Sequence, residues 1–434
     1  MLVIAREWYP GNLHDDSVNK RAARIALAEG LGVPVQYLRP REEFREEAER
    51  KPKRGKPKTS MQIDAEIEQG FENRLMIAWL DLAYKSLGRV RPGKLLAEAN
   101  IVYDTPDLFG AYPDHILALG VVRRNKSRFI ANERSFLPYA IELDVETGVC
   151  SASFAYEHPE IRKLVWSDAL PLPHALVKLA SLGPIQLTSV REDRKKILED
   201  RSQTFFKDRL ADFGRRSLRP LIIVDADTSR SVWPWLKDEM IDPENVHLAS
   251  GFNAQAAWHH ARLVRVRTDN SPKVLWDGEY SGATEDTGEV VRYHAPNWAE
   301  AELFKLKDTV KTNVYLSFGS AIRTRLTKGK SSYREISGIK MRVIAGKQTF
   351  EAATMERHSD AWATPSGLEI FVVRSGSDTP DQIARLVEWL RQCYAHFGDW
   401  TVKPAPLYFE RVLKEYLADY DLEEDENGEG NEEE

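Results

Sequence analysis

Residues 218–236 read LRPLIIVDADTSRSVWPWL, and the rest of the chain is best understood outward from them. Leu221, Ile222, Ile223 and Val224 form an apolar run too short for a helix and rich in β-branched side chains, the pattern of a buried strand. Asp225 and Asp227 lie at its end, ahead of an expected helix that takes in Trp233 and Trp235. Upstream, Ser189 and Glu192 form an S-x-x-E capping box for a helix through KKILEDRSQTFFKDRLADF, with Gly214 as its expected stop. Before that helix, SFLPYAIELDVETGVCSASFAYE places apolar, alternating runs on both sides of a turn at Glu146–Gly148, which predicts a hairpin. Downstream, RLVRVR at Arg262–Arg267 and VYLSFG at Val314–Gly319 read as further strands.

The first third follows a β-α-β rhythm: LVIA at Leu2–Ala5, a helical stretch around Val18–Glu29, then VPVQYL at Val33–Leu38. Ile63, Ile67, Phe71, Leu75 and Leu82 recur at helical spacing, with Gly88 as a stop, and NIVYDTPDLFG predicts another strand and turn. Neither G-x-G-x-x-G nor G-x-x-x-x-G-K-[ST] accompanies these strands, which argues against dinucleotide or nucleoside-triphosphate binding of the usual kind. The segment ERKPKRGKPKTS, within residues 49–60, crowds six bases between prolines and a glycine. An exposed loop follows, for which phosphate contact and plain solvation are equally open.

At 434 residues the chain is long enough for two compact units. No apolar stretch reaches the roughly 18 residues that cross a bilayer, and the start lacks a basic, apolar signal, so a cytoplasmic protein without membrane association is expected. Cys150 and Cys393 are the only cysteines, which argues against a disulfide framework or a thiolate zinc site. Nine of the carboxylates behind the net charge of −6 lie in DLEEDENGEGNEEE at residues 421–434, which predicts a disordered acidic tail. Trp79, Trp233, Trp235 and Trp389 fall within helical patterns and read as core rather than as base-stacking platforms.

Four segments in this order, IELDVETG, LRPLIIVDADTSRSVWPWL, RLVRVR followed by VYLSFGSAIRTRLTKGKSSYR, and VKPAPLYFERVLKEY, resemble the Piwi half of an Argonaute. The D-x-x-x-x-R-x-x-W-x-x-L pattern of Asp225, Arg230, Trp233 and Leu236, with the later P-x-P-L, is most similar to the prokaryotic pPIWI-RE family, over about residues 120–420. The resemblance implies an α/β protein with a Rossmann-like MID lobe at 1–120 and an RNase H-like Piwi lobe at 121–420. The family arginine and glutamate are then expected at Arg230 and Glu369, as a buried pair near a guide's 5′ end. Arg123, Arg124, Lys126 and Arg128 fall at the MID–Piwi junction, where Argonautes hold a guide's 5′ phosphate, though a bare basic linker is equally open.

An RNase H-type nuclease holds Mg or Mn between carboxylates at strand ends. Asp144 is expected at the first-strand acid and Asp225 or Asp227 at the second, while Glu157 and Glu160 are nearby choices for a mobile third. The plainer reading makes Asp144 a turn residue and Asp227 a helix cap. Arg411 stands where Argonautes carry a fourth ligand and opposes a cation, which puts binding ahead of cutting. On RLVRVR the alternation sends Arg265 and Arg267 to one face and the valines to the other, so two guanidiniums are expected to meet phosphates, because only distant carboxylates can be proposed as partners. Arg323, Arg325, Lys328 and Lys330 form a second basic cluster.

The expected function is guide-dependent nucleic-acid binding in prokaryotic defence against plasmids or phage, with guide RNA or DNA, a target DNA or RNA, and a helicase, nuclease or amino-terminal-half partner. The alternatives are a metal-dependent RNase H-like nuclease and a non-catalytic scaffold subunit.

Overall fold

The computed structural model describes residues 2–3, 16–38, 60–90, 113–123, 136–158, 160–182, 185, 187, 193–217, 220–243, 246–247, 261–268, 279–283, 290–294, 302–305, 313–319, 336–344, 347–355, 366–392 and 401–417. Its strands in chain order are β1 (Leu2–Val3), β2 (Tyr37–Leu38), β3 (His115–Arg123), β4 (Phe136–Asp144), β5 (Cys150–Glu157), β6 (Leu164–Trp166), β7 (Leu170–Pro171) and β8 (Leu221–Asp225). They continue as β9 (Arg262–Arg267), β10 (Glu279–Ala283), β11 (Val290–His294), β12 (Glu302–Lys305), β13 (Val314–Gly319), β14 (Ile336–Ile344), β15 (Lys347–Met355) and β16 (Ser366–Arg374). The α-helices are α1 (Asp16–Leu31), α2 (Ser60–Leu80), α3 (Leu172–Ser181), α4 (Arg194–Arg216), α5 (Ala226–Ser229), α6 (Pro380–Trp389) and α7 (Glu410–Tyr416).

Ten strands make one sheet in the order β12-β13-β16-β9-β8-β3-β4-β5-β6, with β7 also on β5. The acid-tipped run is its centre: β8 lies parallel to β3 on one side and to β9 on the other, and the hairpin β4–β5 extends β3 antiparallel. Every residue of β8 is buried, as a strand covered on both faces requires. Ile223 and Val264 enter one core, with Leu172 and Leu176 of α3, Ile383 of α6 and Leu413 of α7. Val224 and Leu263 enter the other, with Phe205, Phe206 and Leu210 of α4 and with Trp233 and Trp235. Helices on both faces of a mixed sheet make this an α/β fold of RNase H type. A second sheet joins β10-β11-β14-β15 antiparallel.

The amino-terminal rhythm holds as β1 and β2 in parallel around α1. Ile25 and Ala28 of α1 join the core that holds α3 and α7, and Val35 N–H donates to the Tyr416 hydroxyl at 2.9 Å. A boundary at residue 120 would cut β3, which pairs with both β4 and β8 and so belongs to the large sheet. The helix α4 starts at Arg194 behind Asp193 in a left-handed conformation and runs through Gly214 to Arg216, so the expected glycine stop does not mark its end. Ser189 and Glu192 lie outside the described residues, as do NIVYDTPDLFG, Cys393, residues 49–59 of the basic loop and the acidic tail. Trp233 and Trp235 are core, as expected, but Trp79 is 62% exposed, because α2 turns that face to solvent.

Candidate functional site

Asp225 closes β8 and is fully buried. Its Oδ1 accepts from the Asp227 N–H at 3.0 Å, the bond that caps α5, and its Oδ2 accepts from the Thr228 hydroxyl at 2.9 Å and from Lys403 Nζ at 2.7 Å. The same ammonium donates to Glu410 Oε2 at the start of α7, and the Tyr139 hydroxyl of β4 donates to that oxygen at 3.4 Å. Burial alone would lower the Lys403 pKa, but the facing charges of Asp225 and Glu410 hold it above the usual lysine range, so the ammonium keeps its proton. Burial pushes Glu410 and Tyr139 up.

The expected metal set does not form here. Asp144 pairs with His115 at the start of β3, whereas Leu119 pairs with Val224, which puts Asp225 level with Gly120. Five residues of strand separate the two levels along β3, roughly 17 Å at the rise of a strand. Asp144 instead accepts from the Glu146 and Thr147 N–H groups and opens the turn that Gly148 completes at φ 70°. The strand expected to carry the first acid is thus β4, while the strand beside Asp225 is β3, which has none. At Gly120 a Cβ would come within 2.2 Å of the Tyr139 hydroxyl, so a side chain there would have to displace the Tyr139 ring.

Two of the other expected acids are occupied as well. Asp227 accepts from the N–H and hydroxyl of Thr268 at 2.7 and 2.6 Å, tying β8 to the end of β9, so the cap of α5 is Asp225 rather than Asp227. Glu157 is held by Arg201 at 2.5 Å, and Glu160 is exposed. Among the described residues no three His, Cys, Asp or Glu side chains are grouped to hold a metal ion. The chemistry of the donor set, two carboxylates already sharing an ammonium, does not fit a pair of divalent ions. Arg411 is exposed and among the described residues has Glu415, at 4.0 Å, as its ion-pair partner, whereas its neighbour Glu410 shares the Lys403 ammonium with Asp225. Sequence reasoning passed over both, although they flank the PAP turn of the segment it quoted.

The opposite face of the sheet corrects a second expectation. Arg265 is 3% exposed, and its guanidinium donates to Glu369 Oε1 at 2.7 Å, to Asp238 Oδ1 at 2.6 Å and to the Leu236 carbonyl at 2.9 Å. Arg267, directly across from Glu369 in the ladder, donates to Glu369 Oε2 and to Asp238 Oδ2. Each arginine bridges both carboxylates, and the four groups form a neutral square. Burial raises the Asp238 pKa, but the two guanidiniums outweigh it and hold that carboxyl below its usual range. Both guanidiniums are committed, so they are not free phosphate clamps. Glu369 has Arg265 and Arg267 as partners in place of the expected Arg230.

Beside this square lies a cleft of about 190 Å³ bounded by Ala226, Arg230, Leu236, Lys237, Asp238, Glu239 and the two arginines, so that one carboxylate outside the square, Glu239, shares its wall with Arg230 and Lys237. Neither Arg230 nor Lys237 has a carboxylate partner among the described residues, so two uncommitted cations face an opening at the carboxy ends of β8 and β9. The backbone of Arg123 ends β3, its side chain is outside the described residues, and so are Arg124, Lys126, Arg128, Arg323, Arg325, Lys328 and Lys330.

Residues 116–419 match a family described as the RNaseH domain of pPIWI_RE. The crystal structure of Kluyveromyces polysporus Argonaute with a guide RNA is similar at a TM-score of 0.32 and 9% identity, covering 96% of this chain and 46% of that one. The C-terminal lobe of a budding yeast Argonaute is similar at a TM-score of 0.25 and 9% identity, covering 70% of this chain and 46% of that one. The chain therefore spans less than half the length of either Argonaute chain. No curated protein matches in sequence.

Proposed function

The chain belongs to the pPIWI_RE family through its RNase H domain, and from that premise we propose that it is a guide-dependent nucleic-acid-binding protein that recognises guide–target duplex by backbone and shape. The observation that carries this reading is the cleft on the RNase H-like sheet where Arg230 and Lys237, beside a single further carboxylate, Glu239, have no ion-pair partner among the described residues. Guanidinium and ammonium groups at an open cleft suit phosphate oxygens, and a duplex held by its backbone has its sequence read by base pairing. Arg123, Arg124, Lys126 and Arg128, with the cluster Arg323, Arg325, Lys328 and Lys330, extend the same reading beyond the described residues. The role is defence against plasmids or phage in the prokaryotic cytoplasm, together with a helicase, a nuclease or a partner that supplies amino-terminal domains.

Cutting by the chain itself is disfavoured, because Asp144 and Asp225 stand five residues apart along β3, level with His115 and Gly120. The test is to purify the protein from its host and sequence the nucleic acid that travels with it, including its 5′ chemistry. Short molecules of one narrow length and one 5′ group are expected. Random degradation fragments would sink the guide reading, and no bound nucleic acid with no salt-sensitive oligonucleotide binding would point to a scaffold subunit. Mg-dependent cleavage of a matched target, lost in Asp225→Asn, would restore the nuclease reading.

A further inference from the structure

The cluster at the carboxy end of β8 lies on the face of the sheet covered by α7, opposite the cationic cleft. Asp225 Oδ2 and Glu410 Oε2 converge on one ammonium, with the Tyr139 hydroxyl alongside. We propose that Lys403 is the resident cation of this centre, occupying the space between the two carboxylates that a divalent ion would otherwise take, and that removing its charge opens a site for one hard divalent ion of the Mg²⁺ or Mn²⁺ class. The inference stands whether or not the chain holds a guide.

Several features bear on it together. A hard divalent ion sits about 2.1 Å from its oxygen ligands, and the Lys403 nitrogen is already 2.7 Å from Asp225 Oδ2. Two cations cannot share that oxygen in a site where Asp225 is fully buried and like charges repel through little solvent. The adjacent strand offers no third carboxylate: Gly120 stands level with Asp225, and a side chain there would have to displace the wholly buried Tyr139, 2.2 Å from where its Cβ would stand. Lysine supplies one charge against two carboxylates, which leaves room for a second positive charge that a divalent ion would provide. Pro404 and Pro406 stiffen the short connection from Lys403 to α7, and Ala405 N–H donates to the Leu390 carbonyl at 2.9 Å, so the lysine arrives from an anchored backbone.

The experiment titrates Mn²⁺ into the full chain and reads the free ion by electron paramagnetic resonance, for wild type, Asp225→Asn, Lys403→Ala, and Lys403→Ala combined with Asp225→Asn. Wild type is expected to show no Mn²⁺ site that Asp225→Asn removes. Lys403→Ala is expected to gain one site per chain, at least tenfold tighter than any in wild type, and the added Asp225→Asn to abolish it. A wild-type site lost in Asp225→Asn, or a folded Lys403→Ala without a new site, overturns the proposal.

If Lys403→Ala does not fold, wild type alone decides. Acetylation mapped by mass spectrometry should spare Lys403 under conditions that modify Lys237, and Mg²⁺ should leave that protection unchanged. Reactivity equal to that of Lys237, or exposure of Lys403 on adding Mg²⁺, overturns it.

Discussion

Glu369 is 3% exposed with both oxygens held by guanidinium groups, so its charge has no solvent to fall back on if a partner is lost. Breaking a buried pair by deleting one partner costs more than the pair contributes, because the remaining charge stays buried. Arg265→Ala is therefore expected to lose about 3 kcal/mol of stability in urea unfolding, since Arg267 still holds Glu369 in part. A free phosphate clamp would instead cost almost nothing when removed. Glu388 offers a second residue-scale prediction. Burial first, offset by the Ser317 hydroxyl and by Arg391 and Arg385, pushes its pKa up to about 7 from 4.5. A carboxyl raised in the folded state holds stability that is whole below about pH 4.5 and is lost as pH climbs through about 7. Wild type is expected to lose about 2 kcal/mol more than Glu388→Gln between about pH 5 and about pH 8, and parallel pH curves would remove Glu388 as the cause.

At the scale of elements, the approach of β3 to β4 at Gly120 is set by the Tyr139 ring, whose hydroxyl, Cζ and Cε1 lie 2.2, 2.5 and 2.8 Å from a Cβ built there. Gly120→Ala overpacks a rigid place and is expected to cost about 1–3 kcal/mol. Tyr139→Phe should not rescue it, because the ring edge clashes as well as the hydroxyl, whereas Tyr139→Leu should recover part of the loss. The helix α6 depends on its start: Thr379 accepts from the Gln382 N–H at 3.3 Å, and Gln382 accepts from the Thr379 N–H at 2.9 Å. Thr379→Ala is expected to lower stability by about 1 kcal/mol, read as a shift in urea midpoint at constant slope.

At the scale of the whole molecule, the sheet divides two chemistries between its faces: a centre under α7 where one ammonium bridges two carboxylates, and an open cleft beside α5 that holds Arg230 and Lys237. If the cleft meets nucleic acid, replacing Arg230 and Lys237 together by alanine should reduce the slope of log affinity against log salt by roughly 2, with weaker binding to every sequence alike. An unchanged slope moves the contact to other basic segments of the chain. The variant should fold as wild type, since neither side chain has a carboxylate partner among the described residues.

Local signals in the sequence were enough for the elements and their order. A β-branched run tipped with aspartates, a turn at Glu146–Gly148 and helical spacing around Phe205 each state their own conformation, and their succession resembles one family. What each charged side chain does was not legible, because a charge is defined by its partner, and the partners are distant in sequence: Glu369 is 104 residues from Arg265, and Lys403 is 178 from Asp225. Alternation along RLVRVR correctly put Arg265 and Arg267 on the face opposite Val264 and Val266 but could not tell an exposed face from a central strand covered on both sides. Only the register of β3 between β4 and β8 decided that Asp144 and Asp225 lie apart, and only the return of the PAP segment placed an ammonium against Asp225. Sequence determines which groups exist and in what local shape, whereas strand pairing determines which of them meet.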